Sequence, residues 1–440
     1  MSTRVVKFGG SSLANADQIK KAANIVNAKN SRRYVVVSAP GKVHSEDTKI
    51  TDLLYRSYAR ATTHGDAESV LAIIEQRFTE IIKDLGIDLD LTDDFRILRE
   101  HLAGTPSEDF VASRGEYLNA KVMAAYLDCP MLDAADYICF DENGRYDQDA
   151  TEAKLIPALK ANKRAVLPGF YGAMPDGAVH TFSRGGSDIT GAIVAKAAGA
   201  KVYENWTDVS GMLVADPRIV ENPKPIQTIT YRELRELSYM GAAVLHEDAV
   251  FPVRQAGIPI NIRNTNLPED EGTMIVHHLP EGFKPRIITG IAGNHQFSVV
   301  RIEKAMMNNE VGFGAKVLNI FAEFGLSFEH MPSGIDTLSV VVATEKLKPV
   351  KAELMKRLQE ETNPDLIYAE DEMAIIAVVG HGMVATKGTA ARVLSAVSKA
   401  DINIRMIDQG SGELNIIIGV HEKDYVKAIN SLYKEFEAEL

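Results

Sequence analysis

The sequence predicts an α/β protein in which a mostly parallel β-sheet, sandwiched by helices, is followed by two small βαββαβ domains. Three observations indicate this architecture: strand-like apolar runs alternate with helical segments over residues 1–285, the pattern changes after Pro285, and the residues beyond it contain a repeat. The chain has 440 residues, of which 45% are hydrophobic and 25% charged. It is therefore a globular protein of more than one domain.

The first βαβ unit begins at the first apolar run. Arg4–Phe8 reads as a strand because Val5 and Val6 form a short apolar run that is closed by glycines. A helix follows, since four apolar residues recur at helical spacing on one face: Ile19, Ala22, Ala23 and Val26. Tyr34–Ser38 is a continuous β-branched run, typical of a parallel strand buried on both faces.

The same order of elements returns later in the chain. Arg164–Leu167 predicts a strand, Ile189–Ala198 a helix and Lys201–Trp206 another strand. Between the two halves, residues 60–128 have charged faces and few β-branched runs, so they are predicted to be helical. These helices should cover the sheet edge or one side of a cleft. The first domain is therefore assigned to residues 1–285.

The C-terminal part contains an internal repeat with a spacing of 76 residues and no gap. Three pairs of segments carry it: Ala315–Leu318 with Ala391–Leu394, Gly334 with Gly410, and Leu338–Val341 with Leu414–Ile417. Chance could match a few apolar positions, but an ungapped register favours duplication. The sequence therefore predicts one domain at residues 286–370 and a second at 371–440.

Composition excludes several classes of protein. The two cysteines, Cys129 and Cys139, cannot build a disulfide framework and lack Cys-x-x-Cys spacing, so both are interpreted as packing residues. The net charge of −12 disfavours binding to nucleic acid and to acidic membranes. No apolar run approaches the ~18–20 residues needed to span a bilayer, and the start lacks a signal-peptide pattern. A cytoplasmic protein is expected.

Ligands of such sheets bind beyond the carboxyl ends of the strands. Five segments at these ends are rich in Gly, Ser, Thr or Asp: Lys7–Ser12, Ser38–Gly41, Pro168–Gly172, Ser183–Asp188 and Thr207–Gly211. Glycine allows close approach of the backbone to a phosphate, and helix N-termini offer free N–H groups. Neither common phosphate-binding fingerprint is present, and a single Gly-Gly is usually only a tight turn. Together the five segments favour a nucleotide phosphate as ligand.

Two cations are candidates for binding anions. Lys7 lies in an apolar strand beside Gly9–Gly10, where it can direct its charge at a transferring phosphate; the alternative is a lysine that extends to solvent from a sheet edge. Arg184 precedes two glycines and can bind a carboxylate through two parallel N–H···O hydrogen bonds. The alternative is a surface loop arginine.

Two acids and two histidines complete the candidates. Asp188 stands at a helix start, where an acid is also favoured by the helix dipole alone. Glu116 heads an apolar helical face, so it either marks a frayed helix start or receives a cationic group such as an ammonium. His246 and His381 have no partner at metal-ligand spacing, and no protein metal site is predicted.

Taken in order, these motifs resemble those of the aspartate kinases, over nearly the whole chain. The motifs are Lys7-Phe-Gly-Gly-Ser-Ser12, Ser38-Ala39, Arg114-Gly-Glu116, Ser183-Arg-Gly-Gly-Ser-Asp188, Trp206-Thr-Asp-Val209 and Asp216-Pro-Arg218. The resemblance implies an amino-acid kinase fold followed by two ferredoxin-like ACT domains, through which homodimers or tetramers form. Such ACT domains interlock, so residues of about 286–293 would be a strand of the second.

The resemblance also implies the reaction and the residues that carry it. The γ-phosphate of MgATP would pass to the side-chain carboxylate of L-aspartate, giving 4-phospho-L-aspartate and ADP, the first step toward lysine, threonine and methionine. Lys7 and Asp188 would be catalytic. Aspartate would be bound by Ser38, Thr51, Glu116, Arg184, Gly185, Gly186 and Ser187. ATP would be bound by Lys7, Gly9, Gly10, Ser11, Thr207, Asp208, Leu213, Arg218 and Ala243, with Mg²⁺ held mainly by phosphates and water.

The sequence departs from the family pattern at three places. Ala243 stands where a lysine is common, Leu213 where a tyrosine is common, and the loop from Ser38 to Thr51 carries the insertion His44–Asp47. Two alternative functions therefore stay open. One is a catalytically weakened amino-acid sensor that works through its ACT domains, and the other is a kinase of the same fold acting on glutamate or acetylglutamate.

The repeat suggests where an effector binds. At the 76-residue spacing Glu329 falls opposite Arg405, so only the first repeat offers a negative charge at that strand. This favours an ammonium-bearing effector, for which the resemblance implies lysine, with threonine as the alternative. The candidate residues are Met307, Glu310, Gly312, Phe313, Phe328 and Glu329. The alternative for Glu329 is a solvated residue at a strand end.

Overall fold

The structure is a computed structural model that describes residues 2–64, 67–183, 185–242, 245, 247–410 and 412–440. The chain forms two compact units. The first contains Met1–Met212, Pro225–Tyr231 and Val244–Pro280, and the second contains Leu213–Lys224, Arg232–Ala243 and Glu281–Leu440. Two segments that lie before Pro285 in the sequence, 213–224 and 232–243, thus pack with the C-terminal residues.

The helices and strands up to residue 276 follow in chain order. They are β1 (Arg4–Phe8), α1 (Ala16–Asn27), β2 (Arg32–Val37), α2 (Ile50–His64), α3 (Glu68–Leu85), α4 (Thr92–Ala103), α5 (Glu108–Leu127), α6 (Ala134–Tyr137), β3 (Cys139–Phe140), β4 (Tyr146–Asp147), α7 (Gln148–Ala161), β5 (Ala165–Pro168), β6 (Tyr171–Ala173), β7 (Val179–Thr181), α8 (Gly186–Ala197), β8 (Val202–Thr207), β9 (Met212–Leu213), β10 (Pro225–Ile226), β11 (Thr228–Thr230), α9 (Tyr231–Tyr239), α10 (Glu247–Gln255), β12 (Ile260–Asn264) and β13 (Thr273–Val276).

A seven-stranded sheet with the order β11-β13-β12-β8-β1-β2-β5 is the centre of the first unit. All neighbours are parallel except β12 and β13. The predicted mostly parallel sheet is therefore confirmed, as are the strands and helices predicted around Phe8, Val26, Val36, Leu167, Ile193 and Tyr203.

The core of this unit explains why the sheet holds helices on both faces. Val6, Phe8 and Trp206 on one face pack with apolar residues of α1 and of the helical region predicted at 60–128. That region forms the end of α2 and the whole of α3, α4 and α5. On the other face α8 contacts β1 and β8. Because strand side chains alternate between faces, Lys7 points away from Phe8 and toward the α8 side.

This unit also contains a second, small sheet that was not predicted from the sequence. Its four strands have the order β4-β3-β6-β7 and are only two or three residues long. Segments this short show no period of alternation, so no pattern could indicate them. Cys139 lies in β3, and Cys129 packs against the core described above; both thiols are free.

The remaining elements belong to the second unit. They are β14 (Gly290–Glu303), α11 (Phe313–Glu323), β15 (Thr337–Ala343), α12 (Thr344–Leu347), α13 (Lys351–Thr362), β16 (Leu366–Val379), α14 (Thr389–Lys399), β17 (Met406–Asp408), β18 (Asn415–His421) and α15 (Tyr425–Phe436). The strands form one antiparallel sheet with the order β15-β14-β16-β18-β17.

The repeat predicted at a spacing of 76 residues is confirmed by two helices. α11 and α14 begin and end at equivalent positions, and each is preceded by a glycine, Gly312 or Gly388, with φ of 86°. β14 and β16 are long strands of 14 residues each. Residues 290–294 of β14 pair with 375–379 of β16, whereas residues 299–303 pair with 366–370. One strand thus serves both halves of the sheet.

Buried polar contacts attach segment 232–243 within the second unit. Glu233 is 1% exposed and accepts hydrogen bonds from the Thr289 hydroxyl at 2.6 Å and the His381 amide at 2.9 Å. Segment 213–224 is held in the same way, since the amide of Lys224 donates to the Tyr433 hydroxyl at 3.0 Å. Within the part of the chain described, no helix is long and apolar enough to cross a membrane.

Candidate active site

The carboxyl ends of the parallel strands open into a cleft of about 1210 Å³ in the first unit. Four of the five predicted segments contribute to its lining, those after β1, β2 and β5 and the one that begins α8. The predicted residues in the lining are Lys7, Ser38, Thr51, Glu116, Gly185, Gly186, Ser187 and Asp188. The structure therefore brings together residues that are up to 181 positions apart, from Lys7 to Asp188.

Lys7 and Asp188 form an ion pair at the floor of the cleft. The Lys7 Nζ lies 2.6 Å from Asp188 Oδ1, and the lysine is only 7% exposed. Asn205, which is paired with Lys7 across β1 and β8, donates its Nδ2 to the same carboxylate oxygen at 2.9 Å. Asp188 thereby holds the lysine at the strand end and keeps its charge in a place where an anion can reach it.

The turn before α8 requires glycine for two reasons. Gly185 caps the helix with φ of 78°, in the left-handed region that favours glycine. A Cβ on Gly186 would lie 2.6 Å from the Phe170 ring, so the chain can pass there only without a side chain. The glycines thus allow Ser187 and Asp188 to enter the cleft at the first turn of the helix.

The glycines after β1 and β2 bring two loops into backbone contact. The amide of Gly41 donates to the Gly10 carbonyl at 2.8 Å, and a Cβ on Gly10 would lie 2.9 Å from the Ala39 carbonyl oxygen. The Ser38 carbonyl accepts a hydrogen bond from Asn119 Nδ2 at 2.7 Å, which fixes this loop against α5. Gly9 continues the sheet, since its amide donates to the Trp206 carbonyl at 2.9 Å.

Glu116 is buried at the edge of the cleft with one unused carboxylate oxygen. It lies inside α5 and is 5% exposed, and its Oε2 has no hydrogen-bond partner among the described residues. Burial raises the pKa of this carboxyl to about 7, although the Ala39 backbone, Lys7 and Ser187 act in the opposite direction. Of the two alternatives for Glu116, the frayed helix start is therefore wrong, because α5 begins eight residues earlier at Glu108.

The inserted residues 44–47 are folded back onto the first unit by one arginine. Arg77 contacts Asp47 at 2.9 Å and donates to the Thr48 carbonyl at 3.0 Å and to the Gly41 carbonyl. Asp47 also accepts hydrogen bonds from the amides of Val43 and Thr48. Partial burial alone would raise the pKa of Asp47, but these two hydrogen bonds and the charge of Arg77 together lower it. This clamp sets the path of the loop that leads to Thr51 at the start of α2.

Sequence reasoning missed the wall that the small sheet adds to the cleft. Asp109 accepts from the Thr181 hydroxyl at 2.6 Å and lies 2.8 Å from His180 Nδ1. Four aromatic side chains line the same wall: Phe140, Tyr146, Phe170 and Phe182. Lys49, Asp52 and Tyr55 from the loop and α2 also line the cleft. No local pattern marks these residues, because they meet only through contacts between distant segments.

Among the described candidates for nucleotide binding, those other than Lys7 do not line the cleft. Thr207 is the last residue of β8 and Asp208 follows it. The Thr207 hydroxyl donates to Asp208 Oδ1 at 3.2 Å, and neither residue is among those that line the cleft. Leu213 and Arg218 belong to the second unit, and Arg218 pairs with Asp216 at 2.6 Å. Ser11 lies in a short 3₁₀ turn after Gly9. Arg184 and Ala243 lie outside the described residues.

The predicted effector residues all lie in the second unit but differ in exposure. Met307 and Phe313 are buried in the core beside α11, and Glu310 pairs with Lys304. Phe328 is 46% exposed. Glu329 accepts a hydrogen bond at 2.5 Å from the hydroxyl of Tyr239, a residue of segment 232–243. At the equivalent position of the second repeat, Arg405 pairs with Glu370.

Fold and site together define a class of phosphotransferase. A lysine–aspartate pair at the carboxyl ends of parallel strands, beside glycine turns, can hold and neutralise a transferring phosphoryl group. In agreement, the model of the amino acid kinase family matches residues 2–264, more than half of the chain. An ACT domain model matches residues 376–436.

Comparison with known proteins shows to which family of phosphotransferases the chain belongs. Aspartokinase 3 of Bacillus subtilis is 40% identical, over 99% of each chain. The crystal structure of the Clostridium acetobutylicum aspartate kinase superposes with a TM-score of 0.94 at 48% identity, covering 98% of this chain and 100% of that one. The chain therefore belongs to the aspartokinases and is an aspartate kinase. Escherichia coli aspartokinase III, with 24% identity, a TM-score of 0.74 and coverage of 99% and 100%, has the same fold.

Proposed function

We propose that this protein transfers the γ-phosphate of MgATP to the side-chain carboxylate of L-aspartate and releases 4-phospho-L-aspartate and ADP. The observation that carries the proposal is the pairing of Lys7 with Asp188 in the same cleft as the buried, half-unpaired Glu116. Lys7 can neutralise the charge of a transferring phosphoryl group, and Glu116 can bind an ammonium group. The reaction would be the first step toward lysine, threonine and methionine.

The proposed reaction is an in-line displacement at phosphorus. An oxygen of the aspartate side chain forms a bond to the γ-phosphorus while the bond to the β–γ bridging oxygen breaks, so ADP leaves with the electron pair. No proton needs to move, because the attacking carboxylate is already ionised. The protein has to position two anions and neutralise charge on the moving group. Lys7 does so directly, and Asp188 positions it with the help of Asn205.

Aspartate recognition is proposed to rest on its charged backbone groups. Glu116 Oε2 accepts from the α-ammonium, which supplies the partner that this buried oxygen lacks. Arg184 binds the α-carboxylate, and Ser38, Thr51 and Ser187 add hydrogen bonds from the cleft lining. The E. coli relative was crystallised with aspartate and ADP, which supports the same pair of ligands here.

On the nucleotide side, Gly9, Gly10 and Ser11 are proposed to approach the phosphates through the backbone. Thr207, Asp208, Leu213, Arg218 and Ala243 are proposed to contact the rest of ATP. Mg²⁺ arrives as part of the substrate, bound by phosphate oxygens and water, as that ion prefers. In the described residues no three His, Cys, Asp or Glu side chains are grouped as ligands of a metal ion.

The function is tested by offering three acceptors separately with MgATP: aspartate, glutamate and N-acetylglutamate. We expect ADP release with aspartate alone, together with an acyl phosphate that hydroxylamine traps as a hydroxamate. N-acetylglutamate lacks the ammonium that Glu116 would bind, so it should be inert. Faster turnover with glutamate or N-acetylglutamate would contradict the proposed substrate, and ADP release without hydroxamate would contradict the proposed acceptor group.

We further propose that lysine inhibits the enzyme by binding at Glu329 in the first repeat. The carboxylate is half-buried and already accepts from a neutral donor, the Tyr239 hydroxyl. A charged ammonium is a stronger partner for a carboxylate than a hydroxyl. The lysine-bound structure of the E. coli relative supports this choice of effector. Because Tyr239 belongs to segment 232–243, loss of its hydrogen bond would carry the effect from Glu329 into that segment.

Glu329→Ala is expected to raise the half-inhibitory lysine concentration roughly tenfold or more, since it removes a charge-assisted hydrogen bond. Tyr239→Phe should lower that concentration, because it removes the competitor for the carboxylate. The measurement is a lysine titration at fixed substrates, repeated with threonine as the alternative effector. Glu345→Ala, an exposed acid of the same unit, is the matched control. Absence of inhibition in the wild type would rule out the effector, and an unchanged Glu329→Ala value would rule out the site.

A further inference from the structure

A second pocket in the first unit is lined by cations and lies away from the cleft. Its volume is about 410 Å³, and it is lined by residues of helix α1, of strands β2, β8 and β12, and of the segments after α1 and β12. The charged residues in its lining are Lys21, Lys29, Arg32 and Arg263, and the part of the lining that the structure describes includes no acid. In a protein with a net charge of −12, such a concentration of positive charge needs an explanation.

One neighbouring carboxylate neutralises only part of this charge. Glu204 is fully buried and accepts from Arg32 Nε at 2.8 Å and from Arg4 Nη1 at 2.6 Å. Among the described residues no carboxylate pairs with Lys21, Lys29 or Arg263. Partial burial and, to a smaller extent, repulsion by the nearby Arg32 lower the pKa of Lys29, although Glu204 acts in the opposite direction. An anion in the pocket would relieve that repulsion.

Arg263 has a donor that no protein group among the described residues satisfies. Its Nη2 donates to the carbonyls of Pro268 at 2.7 Å and Asp270 at 2.8 Å, but its Nε is buried without any hydrogen-bond partner. Buried donors are rarely left unpaired, and burial also lowers the pKa of this guanidinium. The group lies 4.7 Å from the centre of the Trp206 ring, so the indole restricts where the guanidinium can move.

The pocket is on the face of the sheet opposite the lysine–aspartate pair. Asn205 contacts Asp188, and side chains alternate along a strand, so Glu204 and Trp206 point to the other face. Trp206 pairs with Arg263 across β8 and β12 and directly precedes Thr207. The pocket is therefore separate from the cleft, although it adjoins the strand end that leads to the proposed nucleotide residues.

We propose that this pocket binds a small anion that carries a phosphate group. Arg263 and Lys29 supply charge-assisted donors for its oxygens, and Lys21 with Asn24 supplies further donors at the rim. The net charge of −12 repels a nucleic acid, so a small ligand is favoured. Free phosphate and the phosphate of a small metabolite share this chemistry, and inorganic phosphate is the simplest probe of both.

The single tryptophan makes the test direct, because Trp206 lines the pocket. Inorganic phosphate is titrated into the full-length protein without substrates, against sodium chloride at matched ionic strength. We expect a saturable change of Trp206 fluorescence with phosphate and a rise in Tm that chloride does not produce. Equal responses to both salts would mean that phosphate only screens charge, and this would overturn the proposal.

Variants locate the binding. Lys29→Ala and Arg263→Gln should each weaken the phosphate response at least about tenfold, because each removes a charged donor. Lys20→Ala, on the same helix but outside the pocket, should leave it unchanged. Lys7→Ala separates the pocket from the cleft and should retain the response. If Lys7→Ala loses it while Lys29→Ala keeps it, phosphate binds in the cleft and the pocket proposal is wrong. Lys29 is exposed, so this variant remains decisive should Arg263→Gln not fold.

Discussion

Replacement of Lys7 by alanine or methionine should lower kcat by roughly 10²–10³-fold, equivalent to about 3–4 kcal/mol of transition-state stabilisation. The reason is its position, with Nζ 2.6 Å from Asp188 and the side chain 7% exposed, where its charge is little screened by water. The methionine variant removes the charge but keeps most of the packing volume. A decrease in kcat that both variants share is therefore caused by the missing charge.

Steady-state ADP release under saturating aspartate and MgATP measures this effect, and circular dichroism with Tm checks the fold. Lys20→Ala, at a lysine of α1 whose side chain is 41% exposed, is the control and should keep wild-type turnover. A folded Lys7→Met enzyme with more than about a third of wild-type kcat would show that the lysine does not act on the transferring phosphate.

Glu116→Gln should raise the KM for aspartate roughly 10- to 150-fold and leave the KM for ATP nearly unchanged. Loss of a hydrogen bond between charged groups typically costs ~1.5–3 kcal/mol, which gives this range. Glutamine keeps the shape of the side chain, which is 5% exposed in α5, so the change is mainly electrostatic. Glu108→Gln, at the exposed start of the same helix, is the matched control. Equal increases in both KM values would indicate general damage to the cleft.

The pH dependence of aspartate binding offers a second test of the proposed contact between Glu116 and the ammonium group of aspartate. Its pKa is raised to about 7, mainly by burial, so the carboxyl is largely protonated at pH 6 and ionised at pH 8. Only the ionised form attracts an ammonium, and the KM for aspartate should therefore fall as the pH rises through 7. In Glu116→Gln this part of the pH profile should disappear. A wild-type KM for aspartate that is flat between pH 6 and 8 would contradict the assigned contact.

As the pH rises, aspartate binding should become tighter, whereas the folded protein should become less stable. Between pH 4.5 and 7 the folded protein keeps a proton on Glu116 that the unfolded chain releases, so the free energy of unfolding falls as the pH rises. The loss from this carboxyl amounts to roughly 3 kcal/mol in the absence of substrate. Glu116→Gln should therefore be more stable than the wild type at pH 8 and similar at pH 4.

Much of the first unit could be predicted because its signals are local. Short apolar or β-branched runs marked Arg4–Phe8 and Tyr34–Ser38, and the recurrence of the same order of elements marked Lys201–Trp206. The position of Lys7 and Asp188 followed from the same reasoning, since parallel strands end at one edge of a sheet. In the second unit the 76-residue repeat located α11 and α14, because the matched segments Ala315–Leu318 and Ala391–Leu394 lie within these helices.

The amino-acid sequence by itself thus determined the alternation of elements, the strand-end segments and the repeat, all of which depend on neighbouring residues. Only the tertiary structure decided that Glu116 is buried with an unpaired oxygen, that Asp109 and His180 meet across the cleft wall, and that Arg263 is left with an unpaired donor. It also decided that segments 213–224 and 232–243 pack with the C-terminal residues. These features arise between residues far apart in the chain, where burial and charge depend on packing that no local pattern encodes.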